Sequence, residues 1–386
     1  MLSPLDDFPF HQISTTFDTA GPSDPRFFDR YWWVFYDPEG RFSLCTGLGV
    51  YKNMNVMDGF AAAVLGNTQH NIRMSRLLRP NFEIKVGPLR YEILEGLKRI
   101  RLVLDDTGNG VAFDLVFQSE FDAFEESTSF ERVEGILVKD YMRYVQHGRA
   151  TGWVSVAGQR FESDSLWCFR DRSFGVRPGQ GGGVTKSELS TAKSLNEMRA
   201  AAMGFSKMPA LLFACGFSTD ELAGATFFGE ANDGSRLRVH GNCIPKGEST
   251  PRPVVDVIDH DLKFYKDGNL KQGAVRLLLA DGEKLQIEFE PLTCPHVYVG
   301  FGYHDGYNDR MGLGAARGDD VLEADSYCVG DPANIVDNSG GRDLSGLQQL
   351  DMPNRVVVNG GSGYAEILGG LTVGARHARY RPVSGR

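Results

Sequence analysis

The chain has few of the signals that mark metal-, nucleotide- and nucleophile-dependent enzymes. Its six cysteines are dispersed, with no CxxC pair and no cysteine–histidine cluster at the spacing of zinc ligands. Because no GxSxG, HExxH or P-loop segment occurs, serine hydrolases, zincins and P-loop NTPases lack their diagnostic residues. The glycine-rich segments 300–302 and 312–318 lack the spacing and the strand–turn–helix setting of a pyrophosphate site. We therefore expect no metal, flavin, nicotinamide or other cofactor.

A basic excess and long apolar runs are also missing. The chain has 41 Lys and Arg against 50 Asp and Glu, a net charge of −9, which opposes binding to nucleic acid or to an anionic membrane. No segment approaches the roughly 18 consecutive apolar residues of a membrane span. Residues 1–8 carry acidic residues and a proline where a secretory signal has a basic region and an apolar run. We expect a cytoplasmic protein with reduced thiols, no nucleic-acid partner and no membrane span.

The chain is rich in glycine, aromatic residues and short apolar runs that end at turn residues. It contains 46 glycines among 386 residues, and 11 % of its residues are aromatic. Turn sequences at 232–234, 266–268 and 280–282 separate apolar runs. Helical periodicity is clearest in residues 190–203, which begin at the candidate N-cap Ser190. This composition predicts an all-β protein with few short helices.

An internal repeat at an offset of about 165 to 175 residues divides the chain. Residues 101–105 and 113–117 recur as 276–281 and 285–289, and each pair predicts a hairpin. The segment around Cys45 also resembles the segment around Cys215. We therefore predict two antiparallel β-domains in tandem, residues 8–178 and 209–380. A linker, residues 179–208, would carry the possible short helix.

The segment 167–178 concentrates charge in a β-like stretch, with three arginines and one carboxylate between aromatic residues. Strand alternation places Trp167, Phe169, Asp171 and Ser173 on one face. Such a carboxylate costs free energy unless it is paired or protonated. One interpretation is a structural ion pair, and the other is a proton donor or acceptor beside an apolar ligand. The arginines offer a further alternative, the binding of a substrate carboxylate or enolate oxygen.

Four segments carry a resemblance to a known group: 30–33, 47–51, 170–177 and 374–380. They resemble segments of the hydroxyneurosporene synthase (carotenoid 1,2-hydratase)-like, AttH-like superfamily. The resemblance implies two lipocalin-like antiparallel β-barrel domains. It also implies hydration, cyclisation or cycloaddition of isoprenoid- or polyketide-like molecules in an apolar pocket, with a carboxylate at the position of Asp171 as proton donor.

From these patterns we predict a cofactor-independent lyase or isomerase of the hydratase, dehydratase or cyclase type. Its substrate would be a hydrophobic isoprenoid-, steroid- or polyketide-like small molecule. A non-catalytic carrier of a hydrophobic ligand is the alternative. The candidate catalytic residues are Asp171, Arg177 and His304. The candidate substrate-binding residues are Trp167, Phe169, Tyr144, Trp33 and Tyr303.

Overall fold

The computed structural model describes residues 7–9, 18–126, 128–133, 136–180, 208–303, 306, 307, 309, 311–342, 344, 349–372 and 374–380. Their regular structure is nearly all β-strand, with the short 3-10 helices Lys52–Met54 and Tyr298–Phe301 between strands. The predicted all-β fold with two lipocalin-like domains in tandem is confirmed. The linker helix predicted for residues 190–203 lies outside the described residues.

Twelve strands precede residue 180. They are β1 Phe27–Tyr36, β2 Phe42–Tyr51, β3 Val56–Leu65, β4 Thr68–Leu77, β5 Lys85–Val86, β6 Leu89–Glu95, β7 Arg99–Leu104, β8 Val111–Ser119, β9 Phe124–Glu125, β10 Ser129–Val133, β11 Ile136–Val156 and β12 Gln159–Val176. All their pairings are antiparallel, and the last strand, β12, returns to pair with the first, β1. We call the resulting curled sheet the first sheet.

Eleven strands follow residue 208. They are β13 Leu211–Thr219, β14 Leu222–Glu230, β15 Arg236–Pro245, β16 Arg252–Phe264, β17 Leu270–Leu279, β18 Lys284–Pro291, β19 His296–Val297, β20 Val321–Cys328, β21 Val336–Asp337, β22 Leu350–Val358 and β23 Gly361–Leu371. Eight of them close a barrel in the order β13-β14-β15-β16-β17-β18-β22-β23, with β23 paired to β13. We call it the second barrel.

One strand of the second half of the chain, β20, joins the first sheet. β20 pairs along its whole length with β4, from Val321 opposite Ser75 to Cys328 opposite Thr68. The pair is fixed by Arg73, whose guanidinium donates to both carboxylate oxygens of Asp325 at 3.0 and 2.7 Å. Part of the second half therefore completes the first sheet. The domain boundaries at residues 178 and 209 stay a prediction.

The repeated stretches form equivalent hairpins, β7–β8 and β17–β18. The Cys45 and Cys215 segments do not correspond in the same way. Cys45 lies in β2 and Cys215 in β13. The first strand of each half pairs with the last strand of its own sheet or barrel, β1 with β12 and β13 with β23. In topology β13 therefore corresponds to β1 and not to β2, so the sequence similarity around the two cysteines does not match equivalent strands.

Alternation along β12 separates two environments. Trp167 and Phe169 point out of the first sheet into a cluster shared with Ala223, Ala225 and Ile244 of the second barrel. Cys168 points to the opposite side, into the apolar core that the first sheet encloses. The predicted common face of Trp167, Phe169 and Asp171 is thus the face on which the two domains meet.

Close packing holds this interface together. Gly216 of β13 lies so close to the Phe169 ring that a Cβ added there would be 2.7 Å from a ring carbon. The Trp167 indole N–H donates to Ser218 Oγ at 2.7 Å. Among the residues that the structure describes, no helix has the length and apolarity needed to span a bilayer.

Candidate functional site

A group of polar and aromatic side chains lies where the outer face of the first sheet meets the second barrel. We call it the interdomain recess and define it by Trp32, Glu126, Arg143, Asp171, Tyr298 and Glu366. The side chains of Glu126, Arg143 and Asp171 are 19 %, 28 % and 20 % exposed. Burial is nevertheless the largest influence on the pKa of Glu126 and on that of Arg143. Side chains that keep accessible surface while surrounded by protein line an internal space.

Asp171 reaches the recess through the pairing of β12 with its neighbours. It lies opposite Trp32 of β1 and opposite Val145 of β11. Its carboxylate forms an ion pair with Arg143, with 3.6 Å between Oδ2 and Nε. The carboxylate is therefore both charge-paired and adjacent to an indole ring.

Arg143 is shared between two carboxyl groups. Its Nη1 donates to Glu126 Oε2 at 3.4 Å, in addition to the Asp171 contact. Burial raises the pKa of Glu126, the nearby Asp171 raises it further, and Arg143 and Arg238 act in the opposite direction. The recess thus contains an acidic group whose protonation responds to its neighbours.

A second carboxyl pair, Asp351 and Glu366, lies on the wall formed by the second barrel. The Trp32 indole N–H donates to Glu366 Oε1 at 2.9 Å. Burial raises the pKa of Glu366 well above its ordinary value, and the charges of Asp351 and Asp171 raise it further. Burial also raises the pKa of Asp351 to about 6, and the two carboxyl groups hydrogen-bond to each other. At neutral pH the pair therefore retains a proton.

Aromatic rings form the apolar side of the recess. Trp32 stacks on Tyr298, with ring centroids 5.4 Å apart, and meets the edge of Phe301 at 5.2 Å. Phe301 in turn stacks on Phe60 at 4.7 Å. Such a surface suits an apolar ligand, and its π faces stabilise a developing positive charge.

Two further predicted residues lie on the same face of the first sheet. The Arg177 guanidinium is 4.8 Å from the Phe28 ring centroid. The Tyr303 ring lies 4.9 Å from the Arg30 guanidinium and 5.3 Å from Tyr298. The structure thus brings Tyr303 to the edge of the recess and places Arg177 six residues beyond Asp171.

Tyr144 and Trp33 do not lie on this face. Both are fully buried inside the first sheet, where the Tyr144 hydroxyl donates to Asp7 Oδ1 at 3.0 Å and Trp33 stacks on Phe35. Alternation explains the difference, because the neighbours Arg143 and Trp32 occupy the outward positions. Tyr144 and Trp33 therefore do not share a face with Asp171, and their predicted role in substrate binding stays a prediction.

Arg170 and Arg172 also point inward, although they flank Asp171 in the sequence. Arg170 pairs with Asp7 at 2.5 Å, and Arg172 pairs with Asp29. His304 lies outside the described residues. Among the described residues, no group of three or more His, Cys, Asp or Glu side chains is arranged to hold a metal ion.

A separate groove of about 750 Å³ runs along the outside of the second barrel. Exposed charged side chains such as Lys263, Glu288 and Glu290 line much of it. It does not border Asp171 or the Asp351–Glu366 pair. The interdomain recess is the better candidate because it combines enclosed carboxyl groups with an aromatic wall.

Sequence reasoning missed Glu366, Arg143 and Glu126. Glu366 is a single acidic residue in a strand whose alternate residues Ala365 and Ile367 are buried, a pattern that normally indicates a solvent-facing position. Arg143 directly precedes Tyr144 in a polar stretch and gave no separate signal. Only the register that sets Trp32 opposite Asp171 reveals which alternate residues of β1 line the site.

Comparison with known proteins gives similarities of fold and one family. The chain is similar to the structure of a protein assigned as AttH from Nitrosomonas europaea, at 10 % identity and a TM-score of 0.49, covering 89 % of this chain and 93 % of that one. It is also similar to kievitone hydratase from Nectria haematococca, at 10 % identity and a TM-score of 0.39, with 89 % of each chain covered. For CghA the identity is 8 % and the TM-score 0.42, with 90 % and 88 % covered.

A search of curated proteins gave no significant match. A family model does match most of the chain, over residues 2–339. The chain belongs to that family, which is described as a family of unknown function, DUF8625.

Proposed function

We propose that this protein is a cofactor-independent acid–base enzyme that acts on a largely apolar, unsaturated small molecule in the interdomain recess. The reaction class is hydration, dehydration, isomerisation or cyclisation. The observation that carries the proposal is the buried Glu366 carboxyl group beside Asp351, held by the Trp32 indole N–H at 2.9 Å against an aromatic wall.

Glu366 is the proton donor in this proposal. A carboxyl group that stays protonated at neutral pH can protonate a carbon–carbon double bond, as general acid catalysis requires. Its terminal torsion is soft, so the O–H can turn from Asp351 toward a ligand lying on Trp32. After transfer, the new carboxylate keeps the Trp32 hydrogen bond. The transfer leaves both Asp351 and Glu366 ionised, and the cation formed on the substrate is the counter-charge beside them.

Asp171 and the aromatic rings act on the cation that protonation creates. The faces of Trp32 and Tyr298 stabilise positive charge on carbon. Asp171, charge-paired with Arg143, is the acceptor that removes a proton in an isomerisation. In a dehydration Glu366 would instead protonate the departing hydroxyl group, water would leave, and Asp171 would take the proton from the adjacent carbon. In a hydration Asp171 would orient and deprotonate the attacking water. Whether a ring closes instead depends on how the recess folds the substrate.

The test is turnover of a small-molecule extract in deuterated water. Wild-type protein, Glu366→Gln and Asp171→Asn are incubated with the extract, and products are followed by mass spectrometry. We expect the wild type to convert a component and to place deuterium on carbon. Glu366→Gln should lower the rate by about a hundredfold or more, because it removes the proton but keeps the acceptor for Trp32.

Glu290→Gln is the matched control, since Glu290 is an exposed carboxylate of the second barrel. It should leave turnover unchanged. If the wild type retains a hydrophobic compound through purification but never converts it, the protein is a carrier. Normal turnover by Glu366→Gln would show that Glu366 is not the proton donor.

A further inference from the structure

Two arginines, one from each domain, lie near each other at the recess. Arg143 and Asp171 are on the first sheet, and Arg238 of β15 stands close enough for its charge to lower the pKa of Glu126. Arg143 and Arg238 thus place positive charge beside the carboxyl groups of the recess, although the whole chain is acidic.

Arg143 is paired more loosely than the structural arginines. Arg73 reaches Asp325 at 2.7 Å, and Arg101 reaches Asp114 at 2.7 and 2.9 Å. These are the usual lengths of charge-assisted hydrogen bonds, about 2.7 to 2.9 Å. The Arg143 contacts are 3.4 and 3.6 Å, and its Nε has no hydrogen-bond partner among the described residues. With 28 % of the side chain exposed, the guanidinium fork has donors available inside the recess.

His240 lies close to both arginines of the recess. Burial lowers the pKa of His240 to about 3, and the charges of Arg238 and Arg143 lower it further. Both arginines therefore act on the same region of the recess. Glu126 is the nearest carboxyl group, and burial disfavours its charged form. A ligand carboxylate would bind at Arg143 by displacing its 3.4 Å contact with Glu126.

We propose that the substrate carries a carboxylate, which Arg143 binds through its guanidinium fork while the apolar body lies along Trp32 and Tyr298. A planar carboxylate matches the two parallel N–H groups of an arginine. The inference rests on the proposed function, because it names the substrate class of that same site. It adds an anchoring group at Arg143, beside the proton acceptor Asp171 and across the recess from the proton donor Glu366.

Two ring-matched probes test the charge preference. Isothermal titration calorimetry compares 2-naphthoate with 2-naphthalenemethanol, which replaces the carboxylate by a neutral hydroxymethyl group. We expect the wild type to bind 2-naphthoate about tenfold more tightly. Arg143→Gln should weaken 2-naphthoate about tenfold, or roughly 1.4 kcal/mol, and the alcohol by less than about twofold.

Three variants separate binding from folding. Arg143→Lys keeps the charge and should keep most of the preference. Glu126→Gln removes the competing carboxyl group and should tighten 2-naphthoate several-fold, which a merely structural role would not produce. Arg160→Gln removes an exposed arginine at the far end of β12 and should change neither affinity.

Three results would overturn the inference: equal affinity for the two probes, binding of neither probe, or an equal loss of both in Arg143→Gln. The proposed function fails by a different measurement, since it depends on the turnover of Glu366→Gln. A protein that prefers 2-naphthoate through Arg143 yet turns over normally without Glu366 would keep the carboxylate site and lose the proton donor.

Discussion

The interiors of the two domains contain different kinds of side chains. The second barrel encloses an apolar cluster that includes Phe213, Leu277 and Ile287. The first sheet encloses apolar residues together with the fully buried Arg170 and Arg172. Buried guanidinium groups are tolerable only when charged partners reach them. The arginines concentrated in segment 167–178 therefore belong mainly to a structural ion-pair network inside the first sheet. The carboxyl groups proposed for acid–base chemistry lie between the domains.

The partner of Arg170 comes from the chain's N-terminal region. Asp7 accepts from Arg170 and from the Tyr144 hydroxyl, and Gln146 Oε1 accepts from Arg170 Nε at 3.0 Å. Burial would raise the pKa of Asp7, but the charge and hydrogen bond of Arg170 hold it below the ordinary value. The second barrel has a counterpart near the C-terminal region. There Glu230 accepts from His260 at 2.9 Å and from His377 at 2.7 Å.

The largest expected effect is that of Arg170→Met. The substitution leaves the Asp7 carboxylate buried without its cation, so we expect a loss of about 3 to 5 kcal/mol in the free energy of unfolding. Urea unfolding followed by tryptophan fluorescence measures it. The double variant Asp7→Leu, Arg170→Met should recover most of that loss, because it removes both charges.

Arg160→Met is the control, because Arg160 is 53 % exposed and is paired at the surface with Glu162. It should cost less than about 1 kcal/mol. If Arg170→Met cost no more than this control, the charged interior of the first sheet would contribute little. The contrast with the apolar second barrel would then lose its energetic basis.

The sequence predicted the elements but not their arrangement. Alternation alone placed Trp167, Phe169 and Asp171 on one face, because the period of a strand is two residues whatever it pairs with. Which neighbour lies opposite Asp171 depends on register, and a shift of one residue would have presented Trp33 instead of Trp32. The contact of Asp7 with Arg170 joins residues 163 positions apart, and no local pattern encodes it.

The same limit applies to the recess. Glu366 and Trp32 are separated by 334 residues, and each has an ordinary local explanation, a surface acid and a core aromatic. Their chemistry arises only when the two domains pack. The β20–β4 pairing is equally invisible in sequence, because β20 has a strand pattern that suits either sheet.

An intermediate effect is expected at the domain interface, from the pH dependence of Glu366→Gln. Below about pH 4.5 the folded and unfolded chains both bind this proton. As the pH rises, the unfolded chain releases the proton, whereas the folded chain retains it because the folded pKa is raised. The wild type therefore loses stability relative to Glu366→Gln between about pH 5 and pH 8.

We expect the difference in unfolding free energy between the two proteins to grow by about 1.4 kcal/mol for each pH unit over which the folded chain alone keeps this proton. Urea unfolding at pH 5 and pH 8 measures it, with Glu290→Gln as an exposed control. A constant difference would mean that Glu366 ionises in the folded state as freely as in the unfolded chain. The recess would then lack the neutral carboxylic acid that the proposed function requires.

The smallest expected effect concerns the contact that joins the two domains at Trp167. Ser218→Ala leaves the indole N–H of Trp167 without its acceptor in a fully buried position, so we expect a loss of about 1 kcal/mol. Trp167→Phe removes the donor together with part of the ring, and the double variant completes a cycle that isolates the hydrogen bond.

A coupling energy of about 1 kcal/mol, measured by urea unfolding, would show that the first sheet and the second barrel unfold as one cooperative unit. With no coupling and two separate transitions, each interior would have to stabilise its own domain. The comparison between charged and apolar interiors would then become a comparison between independent folding units.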